Sequence, residues 1–170
     1  MKRPPNRADL SAEFVRSLFS YDPETGTLVW KVQRRRIKIG TRAGFVRRDG
    51  YREITISDIG YLEHRLAWLI VHGEWPASEI DHIDRNKANN AITNLRLVTR
   101  GLNRRNTVHR GYYLRPDNGK HMAYIAGHDG KRIQLGHFDS PEDAHEAYRR
   151  ASIEMFGEFS AFAEREWGAA

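Results

Sequence analysis

Asp81 and His82 stand side by side, and two asparagines follow at Asn94 and Asn103. A carboxylate and an amide oxygen are hard ligands, suited to Mg²⁺ or Mn²⁺, which keep open positions for water and phosphate. An imidazole with an ordinary pKa of about 6.5 can accept a proton near neutral pH. Phosphodiester hydrolysis needs such parts: a nucleophilic water, a proton acceptor, positive charge on the phosphorane and help for the leaving oxygen. An isolated Asp-His pair is more often a turn or surface pair. The reading therefore rests on the spacing of the whole set.

The elements that must position this set read as strand, loop, strand, helix. Ile80 to Ile83 is a short strand, Asp84 to Thr93 is a polar loop rich in asparagine, and Leu95 to Val98 is a second strand. Thr99 then caps a helix that runs through Asn103 towards Asn106. A ββα unit of about thirty residues cannot bury a core alone and must lean on what precedes it. Neighbouring strand residues point to opposite faces, so Asp81 and His82 share one site only if the strand twists or ends there. Asn89 and Asn90 read as turn formers, and Asp84 as structural.

Upstream, Ser11 caps a helix with Phe14, Val15, Leu18 and Phe19 on one side. Asp22 to Gly26 is turn chemistry leading into a strand, Thr27 to Trp30. Tyr51, Ile54 and Ile56 read as strand residues of a small sheet, and Leu66, Ala67, Leu69 and Ile70 recur at helical spacing before Gly73 and Pro76.

The string from Asp81 to Leu95, with Val98-Thr99 and Asn103, resembles the HNH endonuclease family in its phage and intron homing version. The match lies in Asp-His closing the first strand, Asp-x-x-x-x-Asn-Asn with Asn-Leu opening the second, and Val-Thr-x-x-x-Asn opening the helix. His64-Arg65-Leu66-Ala67-Trp68 also looks like the segment before this motif. The resemblance implies His82 as general base, Asp81 and Asn103 as metal ligands, and Asn94 as the asparagine that ties the loop shut. Asn in the last position implies Mg²⁺ or Mn²⁺ rather than zinc. Residues 1 to 60 resemble more weakly the leader of such proteins, through Tyr21-Asp22-Pro23-Glu24-Thr25-Gly26 and Trp30. His64 could approach the active site, but reads first as a packing residue.

After His109 three strands (111–114, 121–126 and 131–136) are joined by Pro116-Asp117-Asn118-Gly119 and His128-Asp129-Gly130. Ser140-Pro141-Glu142-Asp143 opens a helix whose buried stripe reads as Ala144, Ala147, Tyr148, Ala151 and Met155, with Gly157 as its stop. Residues 110 to 162 resemble the plant ethylene-response-factor (Apetala-type) DNA-binding domain, through Arg110-Gly111-Tyr112, Arg115-Pro116, Gly119-Lys120 and Lys131 to Phe138. The resemblance implies a sheet laid in the major groove, with Arg110, Tyr113, Arg115, Lys120, Tyr124, Arg132 and Gln134 as contacts. The chain departs from that family at Gln134, where a Trp is usual, and at Tyr113, where an Arg is usual. Sequence preference therefore does not transfer.

Charge supports a polyanionic partner. The chain of 170 residues carries a formal charge of +6 and a pI of about 9.8. Its distribution says more: Lys31 to Arg48 holds eight Lys or Arg and no acid, and Leu95 to Pro116 is again basic, with Arg100 and Arg104 added as DNA contacts. There is no cysteine, which excludes disulfides, cysteine-ligated zinc and thiol nucleophiles. The basic, proline-rich start lacks the apolar stretch of a secretory signal, and no run reaches the roughly 20 apolar residues of a membrane span.

The expectations are these. The fold is α+β: a ββα-metal HNH unit behind an N-terminal helix and small sheet, then a three-stranded antiparallel sheet packed on one helix. The domains are 1–60, an HNH nuclease at 61–108 and a DNA-binding domain at 109–165. The function is a metal-dependent endonuclease acting on double-stranded DNA, cytoplasmic and of phage or mobile-element type, with a monomer favoured. The alternatives are a DNA-binding regulator with a vestigial nuclease unit, and an enzyme acting on RNA.

Overall fold

Hydrophobic side chains from the first hairpin, a second small sheet and a ten-residue helix converge on one core in the first half of the chain. The computed structural model describes residues 10–34 and 36–163. The leader before Leu10, Arg35 of the basic loop and positions 164–165 lie outside the described residues. The chain forms two compact units, Met1–Val98 and Thr99–Ala170.

In the first unit, α1 (Ala12–Leu18) starts where the Ser11 hydroxyl accepts from the Phe14 N–H at 3.2 Å. Val15 is buried, whereas Phe14 is 44% exposed, so the apolar side read from the sequence is narrower than its residues suggest. β1 (Phe19–Asp22) and β2 (Thr27–Trp30) pair antiparallel with Phe19 opposite Trp30, and their rings lie 4.3 Å apart. β3 (Phe45–Val46), β4 (Arg52–Ile56) and β5 (Ile59–Leu62) form a three-stranded antiparallel sheet in that order. The helix α2 (Glu63–His72) buries Leu66, Ala67 and Leu69, and ends where Gly73 donates to the Leu69 carbonyl at 2.9 Å.

A fully buried carboxylate ties these pieces together. Glu63 accepts from the Leu28 N–H of β2 at 3.4 Å and from the Arg52 guanidinium of β4 at 2.5 Å. Arg52 also donates to the Ala43 carbonyl at 2.9 Å. Burial pushes the Glu63 carboxyl upward, opposed by the Arg52 charge. The unit closes with β6 (Glu79–His82) and β7 (Leu95–Val98), an antiparallel pair with Asp81 opposite Arg96 and His82 opposite Leu95. Ile80 and Leu95 join the main core.

The second unit opens with α3 (Arg100–Asn103), capped by the Thr99 hydroxyl, which accepts from the Leu102 N–H at 3.3 Å; a 3₁₀ turn at Arg104–Asn106 follows. β8 (Tyr112–Leu114), β9 (His121–Ala126) and β10 (Arg132–Phe138) form an antiparallel sheet with β9 central. The register slips between Gln134 and Gly136, so Leu135 is the extra residue of a bulge. It packs with Ile125, Tyr148 and Phe156 in the second core. Helix α4 (Pro141–Phe156) begins where Ser140 accepts from the Asp143 N–H at 3.0 Å. Its fully buried residues are Ala144, Tyr148, Ser152 and Phe156. Of the stripe expected from the sequence, Ala144 and Tyr148 are buried, Ala151 and Met155 pack half-buried against the same core, and Ala147 is half-buried. Ser152 can sit inside because its hydroxyl shares a 2.8 Å hydrogen bond with Ser160.

Candidate functional site

The loop between β6 and β7 folds onto the carboxylate of Asp84. Asn94 accepts from the Asp84 N–H at 2.9 Å, and its amide donates to Asp84 Oδ1 at 2.9 Å and to the Asn89 carbonyl at 2.8 Å. Asn89 donates to Asp84 Oδ2 at 2.7 Å, and the Asn86 N–H reaches Oδ1 at 2.7 Å. Arg85 takes the left-handed backbone, with φ of 63°, and its N–H bonds the His82 carbonyl at 2.9 Å. Five side-chain bonds within eleven residues hold the loop that follows His82 in one conformation.

Asp81 and His82 are both buried, at 6% and 4% exposure, as the last two residues of β6, where the strand ends. Asp81 turns with its cross-strand neighbour Arg96, whose Nε and terminal nitrogen reach Asp81 Oδ2 at 3.0 and 2.9 Å. His82 lies opposite Leu95. Its ring meets His64 edge-on at 5.0 Å and lies 5.9 Å from Tyr51, while Tyr51 is 5.4 Å from His64. Lys87 sits 4.7 Å over Tyr51 and donates to the Asp49 carbonyl at 3.1 Å. His82 Nε2 is 3.0 Å from Oδ1 of Asn90, a residue only 1% exposed. The amide oxygen only accepts, so this contact puts the proton on Nε2 and the lone pair on Nδ1.

Burial lowers the His82 pKa, opposed by the Asn90 bond and the charges of Asp84 and Asp81. His64 is pushed down to about 3, first by burial and then by His82 and Arg65, and is neutral in the working range. Its Nδ1 has no hydrogen-bond partner among the described residues.

Asn103, the fourth residue of the set, is half-buried at the end of α3, with its N–H on the Thr99 carbonyl at 2.9 Å. It belongs to the second unit. No group of three or more His, Cys, Asp or Glu able to hold a metal occurs among the described residues. The donor set of the motif is smaller than that: one carboxylate and one amide oxygen. Mg²⁺ accepts such a set, because it retains several waters and takes the rest of its shell from substrate phosphate.

On the second unit, Tyr113, Tyr124, Arg132 and Gln134 fall on the sheet face away from α4, because Ala123 and Ile125 of the central strand point into the core. Arg132 lies 4.2 Å over the Tyr124 ring, and Tyr113 and Tyr124 are 5.9 Å apart. Arg110 covers Tyr112 at 4.5 Å. Arg115 is paired with Asp117 at 2.5 Å, and Lys120 with Asp139 at 3.1 Å, so both charges are partly compensated. Arg100 and Arg104 are exposed. Arg104 lines a cavity of about 410 Å³ together with Arg105, His109 and His128.

Sequence reasoning overlooked Arg96, Tyr51 and the side chain of Asn90. Only Asn90 left a signal, as one of several asparagines in a loop that does not need them all for turns.

Residues 61–105 match the family model described as HNH endonuclease, and this segment spans Asp81, His82, Asn94 and Asn103. This segment is thus similar to an HNH endonuclease domain. A protein of Acanthamoeba polyphaga mimivirus named "Uncharacterized HNH endonuclease L560" is 30% identical over 110 residues, covering 61% of this chain and 58% of that protein. The chain therefore spans somewhat over half the length of the relative it matches. No solved structure matches. The two matches support a nuclease. Among the described residues no helix is long and apolar enough to cross a membrane.

Proposed function

We propose that the protein is an endonuclease that hydrolyses phosphodiester bonds of double-stranded DNA, with His82 as general base. The observation that carries this is the buried His82 ring, bonded through Nε2 and therefore presenting Nδ1 as its basic nitrogen, inside the segment that matches the HNH family. Nδ1 takes a proton from a water as its oxygen attacks phosphorus; the P–O3′ bond breaks and the leaving oxygen is protonated by solvent. Asp81 and Asn103 are the residues that would hold Mg²⁺ or Mn²⁺. Such an ion, when bound, supplies positive charge for the developing phosphorane and the leaving oxygen. Asn94, through its bonds to Asp84 and Asn89, keeps the loop that carries His82 closed.

The second unit is the DNA-binding module in this reading, of the ethylene-response-factor type. The exposed face bearing Tyr113, Tyr124, Arg132 and Gln134 supports it, since a cation over an aromatic ring beside polar groups suits groove and backbone contacts. Arg100, Arg104 and Arg110 add phosphate contacts. Arg115 and Lys120, already ion-paired, contribute less to affinity than their charge suggests. A phage or other mobile genetic element is the setting in which this combination fits best.

The test is cleavage of supercoiled plasmid by purified protein with Mg²⁺, with EDTA and His82→Ala as controls. Nicking or linearisation that disappears in both controls is the expected result. Full activity of His82→Ala would remove the general base from His82. Binding without any cleavage over a range of DNAs would favour a regulator with a vestigial nuclease unit.

A further inference from the structure

The HNH match begins at residue 61, yet the hydrogen bonding around His82 extends back into the first hairpin. The Tyr21 hydroxyl of β1 donates to the Asn90 carbonyl at 2.8 Å. The Ile92 N–H donates to the Pro23 carbonyl at 3.1 Å. Gly26, with φ of 69°, lies so close that a Cβ there would overlap the backbone of Asn90 and Ala91. The β1–β2 hairpin thus holds the backbone from Asn90 to Ile92 at three places, and the Asn90 side chain in turn bonds His82 Nε2 at 3.0 Å. Asn90 is 1% exposed, more deeply buried than His82 itself. Its Nδ2 has no hydrogen-bond partner among the described residues. A turn-forming asparagine has no need to bury its amide at the cost of an unsatisfied N–H. The bond to His82 is what the buried amide makes in return.

We infer that Asn90 is a positioning residue for catalysis, held by the Tyr21–Gly26 hairpin, and that it locks His82 in the Nε2–H tautomer so that Nδ1 faces the reaction as the base. The inference rests on His82 being the general base. It extends the working catalytic unit to the N-terminal hairpin, beyond the segment that carries the family motif. It also gives Tyr21 and Gly26 a functional reason that turn chemistry alone does not supply. Gly26 permits the close approach, Tyr21 fixes the height of the loop, and Asn90 transmits both to the imidazole.

The experiment combines ¹⁵N NMR of the histidine rings with plasmid-cleavage kinetics on the full chain, for wild type, Asn90→Ala, Asn90→Asp and Tyr21→Phe, with His82→Ala to assign the ring. In the wild type the His82 signals should be those of a single Nε2–H tautomer. In Asn90→Ala they should shift towards a tautomer mixture, with kcat falling about 10- to 100-fold, the range for groups that orient a reacting ligand, and KM changing less than about twofold. Asn90→Asp retains an acceptor and should recover the Nε2–H signature. Tyr21→Phe should lower kcat by a few-fold with the fold intact. A wild-type Nδ1–H tautomer, or an unchanged His82 spectrum and kcat in Asn90→Ala, would overturn the inference. Loss of the base assignment itself reads differently: His82→Ala would then cleave normally while the tautomer lock persisted.

Discussion

Arg96 and Asp81 face each other across β6 and β7, with two guanidinium nitrogens on the single oxygen Oδ2. A carboxylate proposed as a metal ligand is therefore already partly neutralised, which weakens its pull on a divalent cation. Removing the guanidinium takes a countercharge away from a buried carboxylate, at a cost of about 3 kcal/mol. Arg96→Ala should thus unfold at lower temperature in EDTA, and Mg²⁺ should raise its Tm more than that of the wild type, since an ion bound only by the folded state stabilises it. Equal Mg²⁺ shifts in both proteins would detach Asp81 from the metal.

Tyr21 gives a pH dependence with a definite sign. Burial first, then the charges of Asp22 and Glu63, raise its pKa from 10.0 to about 12. A group whose pKa is raised on folding contributes stability that is complete below the unfolded value and lost as pH climbs through the folded one. The wild type should exceed Tyr21→Phe by about 1 kcal/mol near neutrality, the size of one hydrogen bond. That advantage should shrink between pH 10 and 12 in denaturant titrations. A constant difference across that window would mean that the hydroxyl is not engaged.

How much of this was open to reading from sequence depends on the range of the interaction. The caps at Ser11, Thr99 and Ser140 are local, and each side chain makes the bond its position announces. The α+β character and the three-stranded sheet with its helix follow from alternation and turn residues, which are also local. The Asp81–Arg96 pair depends on the register across a twelve-residue loop, for which the sequence carries no marker. Asn90 gains its partner only because a hairpin sixty-odd residues earlier presses on its backbone. On α4 the sequence marks Ala144 and Tyr148 but not Ser152, which looks polar until Ser160 supplies its bond. Phe14 looks like core but is 44% exposed.

Arg115 separates charge from binding. Its guanidinium donates twice to Asp117, at 2.9 and 2.5 Å, and that contact also lowers the Asp117 pKa. Freed from its partner, the guanidinium becomes available to phosphate. Asp117→Asn should tighten DNA binding and steepen its salt dependence by about one counterion, while Arg115→Ala in the wild-type background should weaken binding only slightly. Fluorescence anisotropy against salt distinguishes the two. An unchanged slope in Asp117→Asn would place Arg115 off the DNA.

Gly111 tests the internal stability of the second unit. It stands in the left-handed region at φ of 73°, and a Cβ there would overlap the Tyr148 ring at the heart of the second core. Gly111→Ala imposes both penalties: about 1–2 kcal/mol for the backbone and about 1–3 kcal/mol for overpacking. Tyr148 cannot move aside without disturbing its contact with Phe162, 5.8 Å between ring centres, and its place between Ala144 and Ser152 on α4. Hydrogen exchange should show β8, β9 and α4 losing protection in Gly111→Ala while β1, β2 and α2 of the first unit retain theirs. DNA affinity should fall in parallel with protection of β8 and β9, because the face bearing Tyr113 and Tyr124 is built on those strands. Full protection throughout the variant would mean that Tyr148 yields to the added methyl, and that the tight packing at Gly111 is not what holds the sheet on its helix.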